Sequence, residues 1–238
     1  MKTDNIKNAL VIGATGGVGK DIVLKLIEAG FHVVLSARNK EKLTVFADSF
    51  SKDCVTIIAA DLSESESIDN LFSEIESSFT NPINLVVVAA GGHVATSLDD
   101  SFEKFVEDTN SMVAQNLVGP AMAMFRATKY LKENRGGRII NISSHAAYKV
   151  LENNMAYAPA KSGISSFVEQ LSAATGEIVH VTDIQPAVIN TESMTANLGD
   201  QAEKAIQPAT IGDMVAMVAE LDKHTNIPLL RVDADVVF

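Results

Sequence analysis

A chain of 238 residues, 47% hydrophobic and 21% charged, can bury a core large enough to stand without disulfides or metals. Its formal net charge of −11 excludes nucleic acid and anionic membranes as natural partners. Cys54 is the single cysteine, the five histidines are scattered, and the apolar segment after the polar N-terminus is too short for a signal core or membrane span. These features exclude a disulfide scaffold and a Cys/His metal site, and they point to the cytoplasm.

In chain order, short runs rich in Val, Ile and Leu occur at Ala9–Ile12, His32–Leu35, Val55–Ala59, Asn84–Ala89, Arg138–Ile142, Ile178–Ile184 and Leu229–Val232. Segments with helical spacing separate most of them: Ile22, Val23, Leu26 and Ile27; then Ile68, Leu71, Phe72 and Ile75; then Ile164, Phe167, Val168 and Leu171. Strands that are apolar almost throughout are buried on both faces, as in a parallel sheet covered by helices. The alternation predicts one α/β domain over residues 1–238, a doubly wound parallel sheet of about seven strands with helices on both faces.

After the first strand comes Gly13-Ala14-Thr15-Gly16-Gly17-Val18-Gly19, and a helix opens near Lys20. Glycines are needed where backbone turns tightly and approaches a pyrophosphate, and the following helix N-terminus offers free N–H groups to phosphate. The spacing parses either as Gly13-x-x-x-Gly17-x-Gly19 or as Gly13-x-x-Gly16-x-x-Gly19. The second strand ends at Ala37-Arg38. An acidic residue there would hold the adenosine ribose of NAD; here there is no carboxylate, and the Arg38 guanidinium suits a 2′-phosphate. Asp61, after the third strand, either touches the adenine amino group or caps the helix that carries Glu64 and Glu66.

The fifth strand runs into Asn141-Ile142-Ser143-Ser144 at the carboxyl end of the sheet. Tyr157 and Lys161 follow, four apart and therefore on one helix face. Pro159 is tolerated only in a first helical turn, which puts Tyr157 at the helix start. An ammonium beside a phenol favours the phenolate and makes the pair a usable acid/base. Ser144 precedes Tyr157 by thirteen residues and follows Asn116 by twenty-eight.

These spacings, with the glycine loop, resemble the Asn-Ser-Tyr-Lys tetrad of the short-chain dehydrogenase/reductase superfamily, in its compact single-domain branch. Pro186 to Thr191 resembles that family's segment after the sixth strand, and Leu229 to Asp233 its closing strand. The resemblance implies a Rossmann-like fold and hydride exchange between NADP(H), with NAD(H) as the alternative, and a small carbonyl or alcohol. It makes Tyr157 the general acid/base, Ser144 the group that polarises the carbonyl oxygen, and Lys161 the holder of the nicotinamide ribose. Asn116 would support a water-linked proton relay to Lys161. Cofactor contacts are implied for Gly13, Thr15, Gly17, Val18 and Gly19 in the loop, and for Arg38, Asp61 and Leu62 around adenosine. Ala90, Gly91, Tyr157, Lys161, Pro186, Ile189 and Thr191 would meet the nicotinamide half.

The sequence departs from the family at Ile12 and Gly16, where threonine and a basic residue are usual. It departs again at Val88-Ala89-Ala90-Gly91, in place of Asn-Asn-Ala-Gly, and at Ala187, in place of glycine. Arg38 is thus expected to carry most 2′-phosphate recognition, with help from Thr15 and Asn39. The substrate pocket is expected from His145, Tyr148, Met155 and Met194, with Met194 and Leu198 on a lid at about 191–207; His93 and His145 read as wall or solvated histidines. Apolar residues between about Phe102 and Leu131, including Met112, Met122 and Phe125, suit a homodimer or homotetramer. Two competing readings are a non-catalytic NADP(H)-binding regulator of this fold and an NAD-linked alcohol dehydrogenase. A sugar-nucleotide epimerase is disfavoured, because only 47 residues follow Thr191.

Overall fold

Side chains alternate across a strand, so each strand of this chain divides its apolar residues between two cores. In the computed structural model, which describes residues 7–236, β1 (Lys7–Ile12) sends Leu10 and Ile12 to one face and Ala9 and Val11 to the other. The strands β2 (Phe31–Ser36), β3 (Val55–Ile57), β4 (Leu85–Val88), β5 (Gly137–Ile142), β6 (Val179–Pro186) and β7 (Leu229–Val232) complete one seven-stranded sheet. All pairings are parallel, in the order β3-β2-β1-β4-β5-β6-β7.

One face is covered by α3 (Ser65–Ser78), α5 (Gly119–Glu133) and α6 (Tyr157–Thr175), which contribute Phe72, Met124 and Val168 to its core. The other is covered by α1 (Gly19–Glu28), α2 (Lys40–Ala47) and α8 (Pro208–Ala219), through Leu26, Leu43 and Val215. The chain moves outward from β1 to β3, then returns to start β4 on the other side of β1. The connections on either side of that point run over opposite faces, so a crevice opens beyond the carboxyl ends of β1 and β4.

Three details differ from the predicted elements. β3 ends at Ile57 rather than Ala59, although Ile58 and Ala60 still donate to the carbonyls of Leu35 and Ala37 and keep the chain beside β2. β6 runs on to Pro186, because β7 lies alongside it after β5 has ended. The segment beginning at Phe102 is α4 (Phe102–Val113), a π-helical turn (Ala114–Val118) and then α5. α7 (Thr195–Leu198) and a 3₁₀ turn (Gly199–Lys204) occupy the expected lid. Among the described residues no helix is long and apolar enough to cross a membrane, and no cluster of three potential metal ligands occurs.

Candidate active site

The glycine loop is shaped by two close approaches. Gly13 has φ +88°, and a Cβ there would lie 2.8 Å from the backbone of Ala89 and Ala90 at the exit of β4. A Cβ on Gly17 would lie 2.8 Å from Thr191 Cγ2, so the loop and the segment after β6 touch. A Cβ on Gly16 would meet only the Gly13 carbonyl oxygen, at 3.2 Å. Contacts therefore enforce the Gly13-x-x-x-Gly17-x-Gly19 parse, with the Gly19 position closed by the Gly13 carbonyl. The amides of Gly13 and Ala14 both donate to the Ser36 carbonyl, which ties the loop to β2.

Beside the loop lies a cavity of about 270 Å³. Gly13, Thr15, Arg38, Asp61 and Leu62 line it as expected, and so does Lys42, a residue the sequence reading passed over. Lys42 sits in the first turn of α2, one turn beyond Arg38, where Asn39 caps the helix by accepting from the Lys42 amide at 2.8 Å. Arg38 and Lys42 are exposed and make no salt bridge among the described residues, so two cations face one cavity in an acidic chain. Asp61 is taken by a turn: its Oδ1 accepts from the Ser63 amide at 2.9 Å and from the Ser63 hydroxyl at 2.8 Å. Those bonds, with the nearby Arg38 charge, hold its carboxyl below the ordinary range. It does not cap α3, whose N-cap residue is Glu64.

The cavity reaches Ala90 and Gly91, and there the tetrad begins. A Cβ on Gly91 would lie 2.6 Å from Asn116 Oδ1 and 3.4 Å from Lys161 Nζ, so both side chains converge on that glycine. Asn116 sits in the π-helical turn; its Nδ2 donates to the carbonyls of Gly92 (3.0 Å) and Met112 (3.1 Å), and its Oδ1 accepts from the Gly92 amide (3.3 Å). The wider π turn thus clamps α4 to the β4 exit, a position in which such turns recur at functional sites. Lys161 is 5% exposed and donates to the Ile142 carbonyl at 3.4 Å, with Nζ 5.7 Å from the centre of the Tyr157 ring.

Ser144, 8% exposed, accepts from the Ala146 amide at 3.1 Å and so caps a 3₁₀ turn (His145–Ala147). That bond uses an oxygen lone pair and leaves the hydroxyl proton to donate elsewhere. Tyr157 is the first residue of α6, as the Pro159 position requires, and is half-buried. The carboxyl ends of β4 and β5 and the start of α6 thereby bring together the surroundings of Asn116, Ser144, Tyr157 and Lys161.

Behind Ser144 is a buried network absent from the sequence reading. The Asp183 carboxylate, 3% exposed, accepts from Asn141 Nδ2 (2.7 Å), Ser143 Oγ (2.8 Å), Ser165 Oγ (2.6 Å) and Gln185 Nε2 (3.0 Å). Gln185 in turn accepts from Arg231 Nε at 3.2 Å. The available signal was Asp183, the one acidic residue of a strand buried at nearly every position; a charge at such a place needs a full set of donors.

The substrate side is less gathered. Met155 is exposed, and the Tyr148 ring stacks under Arg231, with ring centre and guanidinium carbon 4.1 Å apart. His145 is half-buried, and burial followed by the Lys149 charge lowers its pKa, with Asp233 opposing. Met194 lies at the lid, where its amide donates to the Thr191 carbonyl at 2.8 Å. Leu198 ends α7 within the expected lid and is 5% exposed. None of these residues lines the cavity at Arg38. Pro186 ends β6, Ile189 bridges to Ile206, and Val18 packs against the α1 side of the core.

Residues 7–203 match the family model described as short chain dehydrogenase. An uncharacterized oxidoreductase of Staphylococcus aureus is 30% identical over 229 residues, covering 95% of this chain and 96% of its own. Among solved structures, ElxO with NADP bound superimposes with a TM-score of 0.86 at 20% identity, over 96% of this chain and 97% of that one, a likeness of fold. The closed form of serine dehydrogenase complexed with NADP⁺ matches with a TM-score of 0.83 at 26% identity, over 94% of each chain. With a family match that runs from the first strand into the lid, on a seven-stranded parallel sheet, this chain belongs to the short-chain dehydrogenase family of oxidoreductases.

Proposed function

We propose that this protein is an NADP(H)-dependent oxidoreductase that interconverts a small ketone or aldehyde and its alcohol, with Tyr157 as general acid/base. The observation that carries the reading is the convergence of Asn116 and Lys161 on Gly91, beside a glycine cradle in which a Cβ would strike backbone. The cradle fits a pyrophosphate, and the Arg38 and Lys42 charges fit a 2′-phosphate. The NADP⁺ complex of serine dehydrogenase supports the same cofactor for this relative. Ala37 offers no carboxylate for the NAD(H) alternative.

When bound, the dinucleotide supplies or accepts the hydride. Gly13, Thr15, Gly17, Val18 and Gly19 would hold its phosphates, Arg38, Lys42, Asp61 and Leu62 its adenosine end, and Ala90, Gly91, Pro186, Ile189 and Thr191 its nicotinamide end. Ser144, its lone pair engaged by Ala146, donates a hydrogen bond to the substrate oxygen and polarises the carbonyl. Tyr157 gives that oxygen a proton in reduction and removes one in oxidation. Lys161 keeps a positive charge by the phenol ring, which stabilises the ionised phenol as the proton leaves. Asn116 holds the β4 exit against α4 and so keeps Gly91 and Lys161 in register.

The chain acts as one dinucleotide-binding and catalytic unit, with its lid at about 191–207. His145, Tyr148, Met155 and Met194 border the substrate entrance. A second copy of the chain would cover Phe102 and Phe125, which are 76% and 55% exposed on α4 and α5.

The test is a fluorescence titration with NADPH and NADH, wild type beside Arg38→Ala and Lys42→Ala, followed by a ketone and aldehyde panel with Tyr157→Phe as control. Arg38→Ala is expected to weaken NADPH by roughly 10- to 100-fold, the worth of a charge-assisted contact, and to leave NADH nearly unchanged. NADH preference in the wild type refutes the cofactor assignment. Cofactor binding with no turnover across the panel refutes catalysis and favours the regulator.

A further inference from the structure

Tyr157 has a ring neighbour that the reaction described above does not use. His93, in the loop after β4, packs its imidazole against the Tyr157 ring in a T-shaped contact, with centres 4.8 Å apart and planes at 84°. Its Nε2 lies 2.9 Å from Asn154 Oδ1. The orientation of that amide is decided from its other side, where Asn154 Nδ2 donates to the Glu152 carbonyl at 2.6 Å. The atom turned towards the imidazole is therefore an oxygen, which only accepts. The contact needs a proton on His93 Nε2, and in the neutral ring this leaves the lone pair on Nδ1.

Both loops are braced against each other at this point. The Thr96 amide donates to the Asn153 carbonyl at 2.8 Å, and the buried Thr96 hydroxyl accepts from the Ala156 amide at 2.9 Å, one residue before Tyr157. His93 is thus held in register with the Tyr157 ring. It is nonetheless exposed, and no described residue donates to its Nδ1.

We propose that His93 recognises the substrate: its Nδ1 accepts a hydrogen bond from a hydroxyl one or two carbons from the reacting carbon. The ring contact puts the imidazole alongside the phenol that handles the reacting oxygen, within reach of such a substituent. The preferred substrates are then hydroxy-carbonyl compounds and the diols formed on their reduction. A bare ketone leaves the acceptor unpaired, and a carboxylate brings no proton to it. Asn154 is a positioning residue that selects the ring tautomer. The inference rests on the reductase reading and names the substrate class for that site.

The experiment compares acetoin with butanone, a pair differing by one hydroxyl, in the NADPH-loaded wild type, His93→Phe and Asn154→Ala. Phenylalanine keeps a ring against Tyr157 and deletes both nitrogens. The ratio of kcat/KM for acetoin over butanone is expected to fall about tenfold in His93→Phe, the worth of one net hydrogen bond, and mainly through KM. A smaller fall is expected in Asn154→Ala. In parallel, the ¹⁵N resonance of His93 Nδ1 is followed in the NADP⁺-loaded wild type, where acetoin shifts it and butanone does not. An unchanged ratio in His93→Phe, whether rates hold or fall equally on both ketones, overturns the proposal. If the wild type reduces neither ketone yet the resonance moves with acetoin, recognition stands and the reductase reading fails. If it reduces neither and the resonance is unmoved, both fall.

Discussion

Asp183→Ala removes the acceptor at the centre of the network behind Ser144, and the hydrogen bonds allow its cost to be estimated. Gln185 Nε2 keeps a second acceptor, Ser165 Oγ at 3.0 Å, and the hydroxyls of Ser143 and Ser165 can turn to new partners at a few tenths to about 1 kcal/mol each. Asn141 Nδ2 has no such choice, and an orphaned buried donor costs about 1–3 kcal/mol. With a small cavity added, the substitution should destabilise by about 2–4 kcal/mol. Asp183→Asn behaves differently. Its amide oxygen can take the position that receives Ser143, Ser165 and Gln185, while its NH₂ meets Asn141, whose own amide flips to accept. That variant should lose only about 1 kcal/mol. Urea denaturation with an unchanged m-value measures both, because equal m means that stability alone has moved. Losses of equal size in the two variants, or a loss under about 1 kcal/mol in Asp183→Ala, would refute the acceptor role assigned to the carboxylate.

Gly17→Ala is expected to weaken dinucleotide binding by crowding Thr191, whose Cγ2 and Cβ would lie 2.8 and 2.9 Å from the new Cβ, and Thr191→Gly, which removes both atoms, should relieve it; additive losses in the double variant would contradict that contact. The half-buried His145 has a pKa below its ordinary 6.5, so folding resists its protonation. Its contribution to stability is complete above pH 6.5 and is lost as pH falls through the lowered value, and a thermal-shift series should show a slope there that disappears in His145→Gln. Lys149→Met removes a charge that lowers this pKa, so an NMR titration should find the His145 midpoint higher in the variant. Phe125→Glu puts a charge on the exposed face of α5 and should shift sedimentation towards a smaller species; an unchanged oligomer would place the contact elsewhere.

Much of the fold was readable because its signals are local. A strand buried on both faces must be apolar at every position, and runs such as Leu85–Val88 announce that without help from the rest of the chain. Pro159 located the start of α6 for an equally local reason, the lost N–H of proline. Lys42 was missed because its meaning depends on where α2 points. In sequence it is one lysine among Lys40 and Lys42 on an exposed helix, and only the fold turns it to the Arg38 cavity. Asp61 is the reverse case, a residue open to two readings until its bonds to Ser63 and its place beside Arg38 were seen.

By itself, then, the sequence determined the alternation of strands and helices, the parallel sheet, the glycine cradle and the spacing of Asn116, Ser144, Tyr157 and Lys161. Periodicity, glycine sterics and proline chemistry act within a few residues, and a linear string records them. Tertiary structure decided which glycines are sterically required, that Asn116 clamps α4 to Gly92, that Asp183 anchors Ser143, and that His93 packs on the Tyr157 ring. Each depends on atoms brought from distant parts of the chain to within hydrogen-bond or van der Waals distance, and that proximity is a property of the packed sheet and helices.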